Sequence, residues 1–186
     1  ELRTDDDVNG DIYLYCFSKG DKTVSVTKQG GYISSFCVPY HPEEATISAE
    51  EAVNRGRDYL ISLGYSSMCD SYYSVYNGIC TVNYAYKNEG VIYYPDLIKV
   101  GIALDTGEIV SLDAMPYLMN HHGRNLPEKK LTGSDAVKML SPDLSLISVG
   151  EAVIPLESGK EAHCYELHCR DTSSQEALVY IDCSTA

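Results

Sequence analysis

At 186 residues, with 44% hydrophobic and 22% charged residues, the chain has the composition of a folded protein of one ordinary domain or two small ones. Lys and Arg number 14 against 27 Asp and Glu, a formal charge of -13, so the long-range field repels phosphate backbones and anionic lipid heads and argues against nucleic acid as a partner. No window approaches the roughly 18 apolar residues of a membrane span, and the N-terminus has no signal-peptide pattern.

The opening run, ELRTDDDVNGD, reads as a cut end or linker, which would place any anchor or targeting element outside this chain. Strand-like runs follow at Asp11 to Phe17, Thr23 to Thr27 and Tyr32 to Val38. Ile47 to Gly64 then has the grammar of a one-sided helix. Ser48 and Glu51 form a candidate capping box, and small or apolar residues fall at Ala49, Ala52, Val53, Gly56, Tyr59, Leu60 and Leu63. After it the sequence predicts strands at Met68 to Tyr76, Ile79 to Tyr86, Leu97 to Leu104 and Glu108 to Leu112, with Asn77-Gly78 as a hairpin signal. A connection through Met115 to Pro127 leads to a second, shorter helix in Leu131 to Leu140, capped by Thr132 with Asp135 at the third position and stopped by Pro142. Strands at Ser148 to Leu156, His163 to Arg170 and Glu176 to Cys183 complete the chain.

These elements repeat. Lys99 to Leu112 lays without a gap on Thr23 to Phe36, and Leu178 to Ala186 fits the first nine positions of the same template. Val24, Val100 and Val179 coincide, as do Val26, Ile102 and Ile181, with turns at Gly30-Gly31, Thr106-Gly107 and Thr185-Ala186. An internal repeat fixes architecture ahead of any single motif. It predicts an α+β fold in which each unit is a helix packed on a small antiparallel sheet. The expected division is a partial unit of strands over 1–40, a complete unit with its connecting loop over 41–127, and a second unit over 128–186 truncated at its C-terminus.

The seven cysteines have no recognisable framework spacing, and an odd number leaves at least one outside any intramolecular disulfide; most sit in strand-like runs, as core thiols of a reducing setting would. Tyrosine dominates the aromatics, 16 Tyr against 2 Phe and no Trp, which suits strand faces that keep a polar tip at a surface. HCYELHC, His163 to Cys169, is the nearest approach to a metal motif. Strand alternation puts His163 and Cys169 on one face and Cys164 and His168 on the other, so no metal site is expected. Glu43-Glu44 and Glu50-Glu51 read as solvated faces, the second favoured by the helix dipole. The sequence contains no GxSxG elbow, HExxH helix, phosphate loop or GxGxxG fingerprint, so neither a catalytic residue nor a cofactor is assigned. His121-His122-Gly123-Arg124 lies in the connection between the two helical units, where a His pair binds metal, titrates near neutrality or caps a loop. In Tyr93-Tyr94-Pro95-Asp96 the proline interrupts a ladder and Asp96 favours a turn. That stretch is either a bend at the start of a strand or a docking surface. Tyr93, Tyr94, Asp96, Tyr117, His121 and Arg124 are accordingly the candidate interface residues.

Val91 to Pro127, VIYYPDLIKVGIALDTGEIVSLDAMPYLMNHHGRNLP, closely resembles the C-terminal region of the YpeB spore germination proteins of endospore-forming bacteria, and Ile47 to Tyr65 and Ser25 to Phe36 are similar to its flanking segments. The repeated unit resembles the PepSY domain. The resemblance implies a non-enzymatic role: such proteins sit on the outer face of the spore inner membrane by an N-terminal anchor, and they control the presence of the cortex-lytic transglycosylase SleB. This chain would be a soluble fragment of one, ending where the family continues with a further strand. The alternative is a peptide- or peptidoglycan-binding module of the envelope with no direct enzyme partner.

Overall fold

The computed structural model describes residues 3–9 and 12–184, with side chains from residue 12 onward. The fold is α+β, with three helices among the described residues and a largely antiparallel set of strands: β1 (Arg3–Asn9), β2 (Ile12–Lys19), β3 (Lys22–Thr27), β4 (Ile33–Cys37), α1 (Ala49–Ser62), β5 (Met68–Tyr76), β6 (Ile79–Asn88), β7 (Val91–Ala103), β8 (Ile109–Asp113), α2 (Met115–Asn120), α3 (Gly133–Lys138), β9 (Ser145–Pro155), β10 (Glu161–Arg170) and β11 (Glu176–Asp182). It divides into two compact units, one of Glu1–Tyr86 and Asp96–His121, the other of Lys87–Pro95 and His122–Ala186. Among the described residues no helix is long and apolar enough to cross a membrane.

In the first unit the strands run β1-β2-β3-β4-β8-β7, with β6 on β7 and β5 on β6. The repeat is visible as register. In the β3/β4 hairpin Val24 faces Phe36, Ser25 faces Ser35, and a bulge shifts Val26 to Ile33. In β7/β8 Val100 faces Leu112, Gly101 faces Ser111, and a bulge shifts Ile102 to Ile109. The two hairpins therefore kink at the same template position, the local extra residue that re-aims a strand. The third copy supplies β11, and its expected turn at Thr185-Ala186 lies outside the described residues.

Helix α1 begins where the sequence placed it, with Ser48 Oγ accepting the Glu51 N–H at 3.1 Å. The reciprocal half of the box is not formed, because the Glu51 carboxylate instead accepts from Arg55, one turn on, at 2.8 Å. Ala52, Val53 and Leu60 enter a core with Cys80, Val82, Tyr84, Ile98, Val100, Ile102 and Leu112 from β6, β7 and β8. Two links tie helix to sheet: the Tyr84 hydroxyl donates to the Val53 carbonyl at 2.6 Å, and Arg57 pairs with Asp70.

In the second unit β9, β10 and β11 form an antiparallel meander, and the start of β7 joins it in parallel, Val91 to Tyr93 against Glu151 to Val153. Helix α3 is six residues long against fourteen in α1, and its box is complete, Thr132 and Asp135 each satisfying the other's backbone N–H. Ala136 packs with Tyr165, Leu167, Cys169 and Cys183 in this unit's own core.

Three sequence expectations are corrected. The opening segment holds strand β1 rather than a linker: its Thr4, Asp6 and Val8 pair with Phe17, Tyr15 and Tyr13 of β2, so backbone pairing overrides a charged composition. Strand β7 runs through Pro95 instead of starting at Leu97. The proline falls after the stretch paired to β9, which ends at Tyr93, and before the stretch paired to β8, which starts at Lys99. Those two ladders therefore leave the proline, which has no N–H to give, outside their paired stretches. The connection after β8 is not irregular throughout, since α2 forms over Met115–Asn120 with the Asp113 carboxylate accepting the Met115 N–H at 3.1 Å.

Candidate functional site

The six candidate residues fall into three clusters rather than one patch. The first lies in the first unit and is built on β7 and α2. Asp96 belongs to the row of β7 that also carries Ile98, Val100 and Ile102, and it is fully buried. Helix α2 ends at His121, whose backbone N–H closes on Tyr117 O and whose Nδ1 lies 2.8 Å from Asp96 Oδ2. With a carboxylate as acceptor, the imidazole Nδ1–H is the donor. The Tyr117 ring stacks on the imidazole at 4.4 Å and 13°, and the Tyr86 ring meets it edge-on at 4.5 Å. Tyr65 adds a further edge contact to Tyr117 at 5.2 Å. Burial pushes the Tyr117 phenol up to about 12, and the negative charge of Asp96 adds to that. An imidazole held over a buried carboxylate and flanked by aromatic rings pins α2 to β7, with about a third of its side chain left open.

The second cluster lies in the second unit. The Arg124 guanidinium grips the Glu161 carboxylate with two bonds, Nε to Oε2 at 2.7 Å and Nη2 to Oε1 at 2.8 Å, and lies 5.3 Å over the Tyr93 ring. That geometry is the bidentate fork that carboxylates favour. It holds Glu161 below the ordinary carboxylate range. The third cluster, also in this unit, is Tyr94, whose hydroxyl donates to Glu166 Oε2 at 2.6 Å with Tyr180 packed edge-on at 6.2 Å. Burial, reinforced by Glu166, drives the Tyr94 phenol far above its usual value and that of Tyr180 up to about 12.

Exposure redraws the expected docking surface. Asp96 is 0% exposed, Tyr93 7%, and the Arg124 side chain 6%, so these three are packed rather than presented. Tyr94, Tyr117 and His121 keep part of their surface open. The sequence contained the signal for Asp96: the alternation of Ile98, Val100 and Ile102, run back one step, puts residue 96 on the core face. Partners such as Tyr86, Glu161 and Glu166 carried no local signal, since each is set by long-range packing.

The HCYELHC residues are dispersed. His163 Nε2 lies 3.0 Å from Glu151 Oε2, which shares its carboxylate with Lys129 at 2.7 Å, and His168 meets Glu176 at 3.0 Å. Cys164 and Cys169 are buried, and desolvation raises the Cys164 thiol to about 11. Among the described residues no three His, Cys, Asp or Glu side chains gather as metal ligands.

A groove of about 790 Å³ in the first unit went unread in the sequence; it is lined by Ile12, Tyr13, Thr27, Lys28, Tyr32 and Leu118 among others. Tyr13 and Tyr32 leave more than half of their surface exposed at its rim.

Comparison with known proteins places this architecture. Residues 4–127 match the profile of a family described as YpeB sporulation, PepSY1 and PepSY2 domains. The sporulation protein YpeB of Halalkalibacterium halodurans is 36% identical over 143 residues, 77% of this chain and 32% of that protein. The same-named proteins of Oceanobacillus iheyensis and Bacillus subtilis are 27% and 26% identical over 83% and 86% of this chain, covering 35% and 37% of theirs. The chain thus spans about a third of the length of these relatives. In fold it is similar to the Bacillus megaterium YpeB C-terminal domain, with a TM-score of 0.88 at 20% identity over 100% of this chain and 85% of that one. On the family match across two thirds of its residues, this chain belongs to the YpeB sporulation protein family.

Proposed function

We propose that the chain is a non-enzymatic interaction module of spore germination, made of tandem PepSY-like units, that binds SleB and so stabilises or restrains it. Within the longer protein it acts at the outer face of the spore inner membrane. The observation that carries this reading is the match of residues 4–127 to a family described by sporulation and by two PepSY domains. It is supported by the use made of the titratable side chains, since His121, Arg124, His163 and His168 each hold a carboxylate in a structural pair. Surface chemistry is left to tyrosines, the residue type enriched where proteins meet.

Mass action supplies the mechanism. A module that binds only the folded lytic enzyme stabilises it by about 2.7 kcal/mol at a hundredfold excess over the dissociation constant. Purified chain mixed with SleB should slow the proteolysis of SleB or change its activity on cortex. Unchanged proteolysis and activity at saturating chain would refute the proposal. Alanine at Tyr94, Tyr117 and His121, which retain open surface, should weaken retention in variants whose circular dichroism shows them folded.

A second reading, a peptide- or peptidoglycan-binding module without an enzyme partner, is favoured by one feature, the groove between Tyr13 and Tyr32. Retention of the chain on purified peptidoglycan in the absence of SleB, lost on Tyr32→Ala, would select it.

A further inference from the structure

Strand β5 is an edge strand of the first unit. Among the described residues it pairs with β6 and with no other strand. Tyr72, Tyr73, Ser74, Val75 and Tyr76 are exposed on both faces, Tyr72 at 60%, Tyr73 at 52%, Val75 at 49% and Tyr76 at 77%. Sheet edges are ordinarily blunted by charge, proline or a bulge. Here the segment from Ser71 to Gly78, SYYSVYNG, has neither a charge nor a proline, and the bulge, between Asp70 and Tyr72, comes before the exposed run from Tyr72 to Tyr76. An edge of this composition is a template for strand addition.

We propose that two copies of this chain pair through β5, antiparallel and about a two-fold axis at Ser74. The segment is self-complementary in that register. Ser74 faces its own symmetry mate, Tyr72 faces Tyr76 of the other copy on one face of the sheet, and Tyr73 faces Val75 on the other. Aromatic and aromatic-to-branched pairs are the favoured cross-strand neighbours. Charge points to the same segment: each copy carries a formal charge of -13, and two such molecules approach best along a stretch with none.

Area is consistent with a weak, closed dimer. At ~200 Å² for a tyrosine, the three exposed rings offer roughly 400 Å² per copy. With Val75 and the edge backbone, a pair covers on the order of 1,000 Å², the lower bound for a specific interface. This inference goes beyond the function proposed above and does not depend on it.

The test is sedimentation of the purified chain across a concentration series. A monomer–dimer equilibrium with a dissociation constant of roughly tens of micromolar is expected. It should tighten several-fold as salt rises to about 0.5 M, because screening removes like-charge repulsion. Val75→Lys, a gatekeeper charge at an exposed position, should weaken it at least about tenfold with an unchanged circular dichroism spectrum. Ser74→Cys provides a second readout that does not rely on disruption. On mild oxidation it should give a covalent dimer, whereas Tyr76→Cys, displaced four residues from its own mate, should not exceed the background of the parent chain. A chain that stays monomeric to about 200 μM at high salt overturns the proposal. So does a dimer indifferent to Val75→Lys, or equal cross-linking by the two cysteine variants. In the monomeric case the edge remains open to a strand of a different protein.

Discussion

Gly56→Ala should destabilise this protein, although the same change in an ordinary helix interior stabilises by about 1 kcal/mol. Gly56 sits mid-helix in α1, on the face that packs against the sheet. A Cβ there would fall far inside contact distance of the Tyr84 hydroxyl, and would lie 3.1 Å from Tyr84 Cζ and 3.3 Å from Ile102 Cδ1. Tyr84 has no room to yield: it is fully buried, and its hydroxyl donates to the Val53 carbonyl at 2.6 Å. Overpacking of this kind costs about 1–3 kcal/mol. Disturbing the hydrogen bond costs about 1 more. Set against the gain in propensity, the net loss is about 2 kcal/mol, read as a lower urea midpoint for the unit that contains α1. Tyr84→Phe removes the atom in the way. On that background Gly56→Ala should cost less than about 1 kcal/mol, a coupling of ~1–2 kcal/mol in a double-mutant cycle. A stabilising single mutant, or a cycle that is additive, would refute the claim that the Tyr84 hydroxyl is what excludes a side chain at 56.

His121→Ala removes the ring that bonds Asp96 and stacks on Tyr117, and should lower stability by about 2 kcal/mol in urea unfolding; a change below ~0.5 kcal/mol would show the pair to be dispensable. Glu161 has its folded pKa below its unfolded value because of Arg124. Its contribution is therefore fully present above the unfolded carboxylate range, near pH 4.3, and is lost as pH falls through the folded pKa. Glu161→Gln should flatten the acid limb of a stability–pH curve, and an unchanged limb would count against it. Thiol titration of the native protein should find Cys37 fastest, as the exposed thiol, while Cys80, Cys164, Cys169 and Cys183 react only after denaturation. Burial raises Cys164 and Cys183 to about 11, so while the core stays closed few thiolates form there at pH 8; rapid native titration of more than three thiols would contradict this packing.

The sequence revealed those features that local chemistry decides. Ser48, Thr132 and the Asn77-Gly78 turn act within a few residues, and each stands where its side-chain chemistry predicts. The repeat was legible for a related reason, because matching bulges at Ser25/Val26 and Gly101/Ile102 leave matching residue patterns. What failed did so where tertiary pairing overrides local preference. Three consecutive acids at Asp5 to Asp7 read as linker but pair residue by residue with β2. Pro95 reads as a break but lies within β7, past the stretch paired to β9 and short of the stretch paired to β8. Asp96 reads as a turn residue but is carried inside by the alternation of its own strand and met by His121, 25 positions away. Of the candidate residues, Tyr93, Asp96 and Arg124 carry chemistry that the fold uses internally.

The tyrosine excess has a structural explanation that a count of aromatics does not supply. A phenylalanine would fill the core under each helix, yet Tyr84 and Tyr165 stand there, both nearly or fully buried. The hydroxyl of Tyr84 donates to the Val53 carbonyl inside α1, and that of Tyr165 donates to the Leu131 carbonyl just before the cap of α3, at 3.0 Å. In both units, then, a ring projecting from a central strand bonds the backbone of the helix or its entrance. Apolar packing alone leaves a helix free to slide on a sheet, because burial is non-directional. A buried hydroxyl with one acceptor fixes the position, since any shift leaves a polar group unpaired at a cost of about 1–3 kcal/mol. Six other tyrosines stay exposed: Tyr13 and Tyr15 on β2, Tyr32 just before β4, and Tyr72, Tyr73 and Tyr76 on β5. Their amphipathic rings supply contact area at low entropic cost, the kind of surface a partner can use.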